Sequence, residues 1–360
     1  MSHLFEPLKL RDIEIRNRIG IPPMCQYSAT DGLAGDWHRV HYGSRAIGGA
    51  GLTIVEATAV TPAGRISPGD LGLWRDEQIA PLADVARLIR AGGCVPAIQL
   101  AHAGRKAGVG LGWQEQRSLT AEEGGWTAVA PSAVSFGEGY AEPHAMSLDE
   151  IAAIPGLFAA AAERALAAGF DAVELHAAHG YLLHQFLSPL ANRRDDAYGG
   201  SFEHRTRLLR EVVATVRAVW PERLPLLVRL SATDWVDGGW SADDTVALCR
   251  VLKTLGVDLV DVSTAGLVPT ARFPIGPGFQ TEFAARVRRE AGIPTAAVGL
   301  ITTAEQADHI VRTGQADMVL VGREILRNPY WPLQAAEKLG RTVAWPNPYL
   351  RAAPRGSVGY

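Results

Sequence analysis

Short apolar segments alternate with helix-like segments along the whole chain. Several of the apolar segments are almost continuously hydrophobic, which is typical of parallel strands covered on both faces. Eight segments are candidate strands: 18–24, 52–60, 95–100, 171–176, 225–230, 257–262, 294–298 and 316–321. Eight strand–helix units in a chain of this length predict an α/β fold, a (β/α)₈ TIM barrel.

Helix boundaries between these strands carry their own signals. A serine or threonine followed three positions later by an acid predicts a capped helix start, as in Ser147 with Glu150, Ser241 with Asp244, and Thr302 with Glu305. Gly169 and Gly256 follow helical segments at positions where helices commonly stop. Apolar residues at helical spacing predict a further helix between Ser201 and Pro221.

The competing architecture is an open, doubly wound sheet. That architecture favours a G-x-G-x-x-G motif after the first strand, where this chain has Ile21-Pro22-Pro23-Met24. We therefore expect one barrel domain over residues 1–360. A small hairpin at 5–16 would close the barrel bottom, and a tail at 341–360 would follow the barrel.

One connection, residues 103–146 after the third strand, is much longer than the others. It is rich in glycine and carries Trp113, Trp126 and Phe136. A loop of this length in a compact domain is usually functional, so we expect a lid over the barrel mouth. A packed surface excursion is the alternative.

Composition excludes several classes of protein. The 360 residues are 47% hydrophobic with a formal net charge of -3, and no run of Lys or Arg suggests nucleic-acid binding. No apolar stretch approaches the roughly 20 residues that cross a bilayer, and the N-terminus lacks a signal pattern. Cys25, Cys94 and Cys249 are far apart, against a disulfide framework or a cysteine-bound zinc or iron–sulfur centre. These features favour a cytoplasmic protein without a membrane partner.

Candidate chemistry concentrates at the end of the fourth strand, where His176, His179 and Tyr181 follow an apolar segment. In a continuing strand, positions i and i+3 point to opposite faces, so both imidazoles serve one site only if the chain turns. Gly180 makes such a turn easy. These groups could bind an oxygen, bind a metal, or transfer a proton.

The other strand ends carry mainly uncharged donors and two arginines. No pair of facing carboxylates stands out, which counts against a glycosidase. Gly299 after strand seven, with Gly322 and Arg323 after strand eight, matches the place where barrels of this kind hold phosphate. The sequence therefore predicts a phosphate-bearing cofactor in the barrel mouth.

Six motifs follow one another along the chain: Pro22-Pro23-Met24-Cys25-Gln26-Tyr27, Glu56-Ala57-Thr58, Gln99-Leu100-Ala101-His102-Ala103-Gly104-Arg105, His176-x-x-His179-Gly180-Tyr181, Tyr198-Gly199-Gly200-Ser201 and Gly322-Arg323. In this order they resemble the old yellow enzymes, which are FMN-dependent, NAD(P)H-driven ene-reductases. The resemblance runs from about residue 4 to residue 328, and the cysteine at position 25 resembles the branch of xenobiotic reductases and bacterial NADPH dehydrogenases.

The resemblance implies a ping-pong reaction. NADPH or NADH would reduce FMN, and the flavin N5 would then pass a hydride to the β-carbon of an activated alkene. The substrates would be α,β-unsaturated carbonyl or nitro compounds, including nitro and nitrate-ester xenobiotics. His176 and His179 would bind the substrate oxygen, and Tyr181 would deliver the proton. Simple structural roles for these three residues are the alternative.

The resemblance also implies a set of binding residues. Arg229 would contact the flavin N1–C2 edge, and no carboxylate neighbour for it is evident in residues 227–231. Tyr27 would line the substrate pocket, and Arg351 would reach into a neighbouring subunit of a dimer or tetramer. The remaining cofactor contacts would be Pro22, Pro23, Met24, Cys25, Ala57 and Gln99 at the ring and Gly299, Gly322 and Arg323 at the phosphate.

Three other functions stay open on the sequence alone. An iron–sulfur flavoenzyme of the dienoyl-CoA reductase type would need a cysteine-bound cluster and further domains. A metal-dependent barrel hydrolase could use His176 and His179. A non-catalytic flavin-binding protein would not need Tyr181.

Overall fold

The structure is a computed structural model that describes residues 4–360. Within these residues, the strands are β1 (Leu8–Leu10), β2 (Ile13–Ile15), β3 (Ile19–Ile21), β4 (Leu52–Ala59), β5 (Val95–Ala101), β6 (Val129–Ala130), β7 (His144–Ala145), β8 (Ala172–Ala177), β9 (Leu226–Ser231), β10 (Leu259–Ser263), β11 (Thr295–Val298) and β12 (Met318–Leu320).

The helices of the same residues lie mostly between barrel strands. They are α1 (Asp36–Ala46), α2 (Ile79–Ala91), α3 (Leu148–Ala167), α4 (Leu182–Leu187), α5 (Phe202–Val219), α6 (Ala242–Thr254), α7 (Thr281–Ala291), α8 (Ala304–Arg312), α9 (Arg323–Arg327) and α10 (Trp331–Lys338). None of the helices in residues 4–360 is both long and apolar enough to cross a lipid bilayer.

Eight parallel strands close into a barrel in the order β3-β4-β5-β8-β9-β10-β11-β12. Each of these strands falls within or beside one of the eight predicted segments, so the (β/α)₈ prediction is confirmed. The main core lies between the barrel and its helices, because outward-facing strand residues such as Val173 and Val228 pack against the apolar helix faces. The apolar residues at helical spacing that predict α5 are all buried: Leu208, Leu209, Val212, Val213 and Val216.

Two of the three predicted helix caps are confirmed. Ser147 Oγ accepts from the Glu150 N–H, and Ser241 Oγ accepts from the Asp244 N–H. The prediction at Thr302 is wrong by one residue, because Thr303 Oγ1 accepts from the Gln306 N–H. The Gln306 side chain in turn accepts from the Thr302 N–H at 3.1 Å, so glutamine fills the role expected of Glu305.

The predicted N-terminal hairpin is confirmed as the antiparallel pair β1 and β2. Leu10 and Ile15 of the hairpin pack against the apolar interior residues at the start of the barrel strands, including Leu52, Leu227 and Leu259. The barrel bottom is therefore a sealed apolar floor, and function is left to the opposite end.

The long connection at 103–146 is an ordered excursion. It contains 3₁₀ turns at Gly104–Lys106 and Ala121–Glu123 and the short parallel pair β6 and β7. Its apolar residues Ala103, Ala107, Val109 and Ala128 form, with Ile66 from the connection after β4, what we call the excursion cluster, against which Cys25, Tyr27 and Tyr181 pack. Movement of this segment as a lid stays a prediction.

Candidate functional site

His176, His179 and Tyr181 lie together at the mouth of the barrel. The His176 ring centroid is 5.1 Å from that of His179 and 4.9 Å from that of Tyr181. His179 and Gly180 both take positive φ angles, +58° and +74°, so the expected turn is present. A Cβ at position 180 would lie 2.1 Å from the Gly266 carbonyl oxygen, which only glycine avoids.

The hydrogen bonds of His176 define its ring proton. The backbone N–H of Ala178 donates to Nδ1 at 3.3 Å, so the neutral ring carries its proton on Nε2. Burial, followed by the charge of Arg229, lowers the pKa of His176 well below its usual value. The imidazole is therefore neutral near pH 7 and offers Nε2–H as a hydrogen-bond donor.

Ser263, at the end of β10, fixes the second imidazole. Its Oγ lies 2.8 Å from His179 Nε2. The Ser263 hydroxyl also has Gln280 Oε1 within reach at 3.4 Å, but Gln280 Oε1 accepts a 2.6 Å bond from Thr264 Oγ1, and we assign the Ser263 proton to the shorter contact with His179. The His179 proton is then on Nδ1, the nitrogen left to donate. The sequence analysis missed Ser263, because no local motif connects it to a histidine that follows β8.

Tyr181 precedes α4 and lies beneath a lysine that the sequence analysis also missed. Lys106 Nζ is 5.0 Å from the Tyr181 ring centroid and donates to the backbone oxygens of His179 (3.0 Å) and Gly266 (3.2 Å). Burial raises the pKa of Tyr181 well above its usual value, so the phenol keeps its proton at neutral pH. Burial lowers the pKa of Lys106 to about 8.

A cavity of about 270 Å³, slightly smaller than typical ligand sites, is lined by Arg229, which is paired in register with His176 on the neighbouring strand. Gly299, at φ +121°, takes a backbone conformation that other residues rarely adopt. Arg323 lies at the cavity without an acidic partner in the described chain, because the adjacent Glu324 pairs with Arg327 at 2.9 Å. Seven predicted cofactor residues line the cavity: Pro22, Pro23, Met24, Arg229, Gly299, Gly322 and Arg323.

Arg229 has a carboxylate neighbour, so the expectation that it lacks one is wrong. Its Nε lies 2.8 Å from Asp261 Oδ2, and the two residues are paired in register on β9 and β10. This acid lies outside residues 227–231 because it comes from the next strand. Arg229 lines the cavity, and its Nε forms no hydrogen bond to the described residues.

The remaining predicted residues lie around the cavity. Gln99 is buried and donates from Nε2 to Glu174 Oε1 at 2.8 Å. Ala57 is buried close to Tyr181, and Cys25 packs against the excursion cluster with a pKa raised by burial. Tyr27, at φ +50°, contacts the exposed Trp113 edge-on at 6.1 Å.

Arg351 does not reach the site of its own chain. It lies exposed in the 3₁₀ turn Asn347–Ala352 of the tail. The tail itself is attached to the barrel, since the Tyr360 hydroxyl donates to the Gly92 carbonyl at 3.0 Å. A role for Arg351 therefore requires a second subunit and stays a prediction.

Within the described residues, His176 and His179 lack the additional ligands that a metal ion needs. Residues 4–360 contain no group of three His, Cys, Asp or Glu side chains placed to hold one. His176 and His179 instead present two ring N–H donors next to a phenol and a cavity, an arrangement suited to a polarised oxygen atom.

Comparison with known proteins identifies the family. Residues 3–341 match the NADH:flavin oxidoreductase / NADH oxidase family. The chain belongs to this family. It is 48% identical over 354 residues to an NADPH dehydrogenase of Listeria monocytogenes serotype 4a, covering 98% of this chain and 99% of the relative.

Solved structures are similar to this chain over most of its length. The old yellow enzyme homologue from Zymomonas mobilis superimposes with a TM-score of 0.79 at 28% identity, covering 93% of this chain and 92% of that one. A 2-naphthoyl-CoA reductase superimposes with a TM-score of 0.85 at 24% identity, which shows the fold alone. That match covers 94% of this chain but only 52% of the 2-naphthoyl-CoA reductase chain.

The family's cofactor is FMN and its reductant is NAD(P)H. The residues present fit such a group. The cavity is lined by Gly299 and Gly322, by Arg323, which has no acidic partner in the described residues, and by the guanidinium-bearing Arg229. A ring with a negatively polarised edge and a phosphate would satisfy both cations.

Proposed function

We propose that this flavin oxidoreductase is an ene-reductase of α,β-unsaturated carbonyl and nitro compounds. The observation that carries the proposal is the convergence of two ring N–H donors and a protonated phenol beside the cavity. A non-catalytic flavin-binding protein would have no use for a tyrosine buried in this position.

His176 Nε2–H and His179 Nδ1–H would donate to the carbonyl or nitro oxygen of the substrate. Negative charge develops on that oxygen as the alkene is reduced, and fixed donors stabilise it without reorganisation. Both rings stay neutral near pH 7 because burial lowers the pKa of each. They therefore polarise the substrate and leave proton delivery to another group.

Tyr181 would provide the proton for the α-carbon. Its raised pKa keeps the phenol protonated until a strongly basic carbon accepts the proton. When bound, FMN supplies the hydride chemistry that connects NAD(P)H with the β-carbon of the substrate. Tyr27 would form the wall of the substrate pocket, supported by its edge contact with Trp113.

The cofactor contacts follow the cavity. Arg323, with the backbone of Gly299 and Gly322, would hold the phosphate, and Arg229 would face the N1–C2 edge of the ring. The backbone of Pro22, Pro23 and Met24 would border the ring. Cys25, Ala57 and Gln99 would complete its surroundings, with Gln99 using the amide groups not engaged by Glu174.

A homo-oligomer, dimer or tetramer, is part of the proposal. Arg351 is exposed on the tail and does not line the cavity of its own chain, so it would act in the site of a partner subunit. Lid movement of residues 103–146 would exclude water from the same site.

Anaerobic spectroscopy tests the proposal. The purified protein is expected to be yellow, to bleach with NADPH or NADH, and to recolour when cyclohexenone is added. A panel of enones, maleimides, nitro compounds and nitrate esters, run with both nicotinamides, then defines the substrate class. Bleaching without recolouring by any member of the panel would contradict ene-reduction, and a colourless protein would contradict the flavin site.

A further inference from the structure

A layer of charged residues lies inside the barrel between the apolar floor and the mouth. Ala172, Leu227 and Leu259 belong to the floor cluster. Because alternate residues of a strand share a face, Glu174, Arg229 and Asp261 occupy the next interior level on the same three strands. Glu174 and Asp261 are fully buried, and Arg229 is nearly so.

The two acids of this layer are only partly satisfied. Asp261 Oδ2 lies 2.8 Å from Arg229 Nε, and Glu174 Oε1 accepts from Gln99 Nε2 at 2.8 Å. Glu174 Oε2 and both oxygens of Asp261 are buried and accept no hydrogen bond from the described residues, so the contact of Asp261 Oδ2 with Arg229 is an ion pair without hydrogen-bond geometry. A buried carboxylate oxygen without a donor is unfavourable when ionised and acceptable when protonated.

The charges of the layer do not balance if both acids are ionised, because two carboxylates would face one guanidinium. Burial raises the pKa of Glu174, Asp261 raises it further, and Arg229 lowers it. Burial also raises the pKa of Asp261, again opposed by Arg229. The two acids therefore hold a proton at pH values where exposed carboxyls have lost theirs.

The other groups around the pair are neutral. Gln99 faces it from β5, and His176 above it is uncharged near pH 7. Interior residues of the remaining strands, Ile54, Val298 and Leu320, are apolar. Arg229 is thus the charged group through which the pair meets the cavity.

We propose that the Glu174–Asp261 pair takes up a proton from solvent when the flavin beside Arg229 is reduced. The inference rests on the proposed placement of the flavin N1–C2 edge at Arg229. Reduction puts negative charge on that edge, and a proton on the pair restores the charge of the buried layer. The pair is a positioning and charge-compensating device behind Arg229, and it does not touch the substrate.

The proton balance makes the proposal measurable. NAD(P)H breaks one C–H bond and transfers a hydride, so one N–H bond forms on the ring, NAD(P)⁺ is released, and the ring gains one negative charge. No proton leaves or enters solvent in this step. Any proton that disappears from solvent during reduction has formed a new bond elsewhere, and the proposal assigns it to a carboxyl O–H of the pair.

The experiment mixes the FMN-loaded protein with one equivalent of NADPH anaerobically in weakly buffered solution with a pH-indicator dye, from about pH 6 to about pH 9. We expect the wild-type protein to take up a substantial fraction of a proton per flavin. Glu174→Gln and Asp261→Asn each keep an acceptor for the existing contacts, and each should at least halve the uptake. In parallel, the midpoint potential of the flavin should fall less steeply with pH in both variants.

Asp171→Asn is the matched control. Asp171 immediately precedes β8, pairs with Arg90 on the outside of the barrel, and undergoes the same change from carboxylate to amide. Its proton uptake should equal that of the wild type.

Three outcomes would overturn the proposal: full bleaching without proton uptake, uptake unchanged in both variants, or a reduced-flavin spectrum that places the proton on the ring. The wild-type measurement decides the first even if a variant fails to fold. If NADPH does not bleach the flavin, both the proposed function and this inference are contradicted. If the flavin bleaches without proton uptake, only the inference is contradicted.

Discussion

The position of each ring proton at the site is set by a neighbouring group. The Ala178 N–H occupies Nδ1 of His176, and Ser263 occupies Nε2 of His179. The two histidines therefore present different ring nitrogens, Nε2 of His176 and Nδ1 of His179, to the same site. Groups that orient a functional imidazole in this way commonly matter almost as much as the imidazole itself.

Replacing Ser263 tests this assignment. Ser263→Ala removes the donor that fixes the His179 tautomer, so phenolic ligands should bind about 10-fold more weakly, the value of one lost hydrogen bond to a partly charged acceptor. Spectral titration of the oxidised flavin measures the dissociation constant. Ser263→Thr keeps a hydroxyl and should restore most of the affinity, and equal weakening in both variants would mean that packing, not the hydroxyl, is responsible.

Tyr181→Phe separates the two half-reactions. Reduction of the flavin by NAD(P)H needs no proton from the phenol and should stay within about 2-fold of the wild-type rate, whereas alkene reduction should slow by about 100-fold or more. Stopped-flow absorbance measures each half-reaction. Tyr140→Phe, in a tyrosine that packs on the same excursion cluster, is the control and should change neither rate. Comparable slowing of both half-reactions by Tyr181→Phe would count against the proton-donor role.

At the scale of elements, α1 and the end of β4 hold the segment that carries Cys25 and Tyr27. The Gln26 N–H donates to Glu56 Oε2 at 2.7 Å, and the Tyr42 hydroxyl of α1 donates to Glu56 Oε1 at 3.0 Å. His38 Nε2 lies 3.5 Å from the same carboxyl. This support allows Tyr27 to keep a positive φ angle beside the proposed substrate pocket.

Glu56 should also make stability depend on pH. Burial raises its pKa to about 8, so the folded state binds this proton more tightly than the unfolded chain. Its stabilising contribution is complete below about pH 4.5 and is lost as pH rises through about 8. Relative to Glu56→Gln, the wild type should lose at least about 1 kcal/mol between about pH 5 and about pH 8.

Urea denaturation of both proteins across this range measures the difference. Glu77→Gln changes an exposed glutamate and should follow the wild-type curve. Wild-type and Glu56→Gln curves that stay parallel would show that Glu56 does not titrate between these pH values.

At the scale of the whole molecule, the residues that stabilise the barrel and the residues proposed for chemistry lie at different ends of it. The hairpin and the apolar floor seal one end, the charged layer lies in the middle, and the donors and the cavity occupy the other end. Cofactor binding should therefore stabilise the mouth of the barrel, but the barrel should fold without the cofactor.

Removal of FMN tests this separation. The apoprotein should stay folded but melt at a lower temperature, and added FMN should restore the loss, since a ligand that binds only the folded state stabilises it. Arg323→Ala should weaken FMN binding by about 10-fold or more through the lost phosphate contact. Riboflavin, which has no phosphate, should bind the variant and the wild type equally. An equal loss of affinity for both flavins would place the phosphate elsewhere.

The barrel, its hairpin and several helix boundaries were predictable because their causes are local. Continuous apolar segments define the strands, and a serine three residues before an acid defines a cap. The Thr302 prediction failed only because glutamine replaced glutamate as the capping partner one residue later. The histidine–tyrosine group was also predictable, since it occupies one short turn after one strand.

Tertiary structure decided every contact between strands. Asp261 meets Arg229, Ser263 meets His179, and Glu56 meets Gln26 only because closure of the barrel fixes the register of segments far apart in sequence. Local patterns contain no information on that register, and the partners are single residues without a motif of their own. The sequence by itself determined which groups stand at the barrel mouth, and the fold determined their protonation and the nitrogens they present.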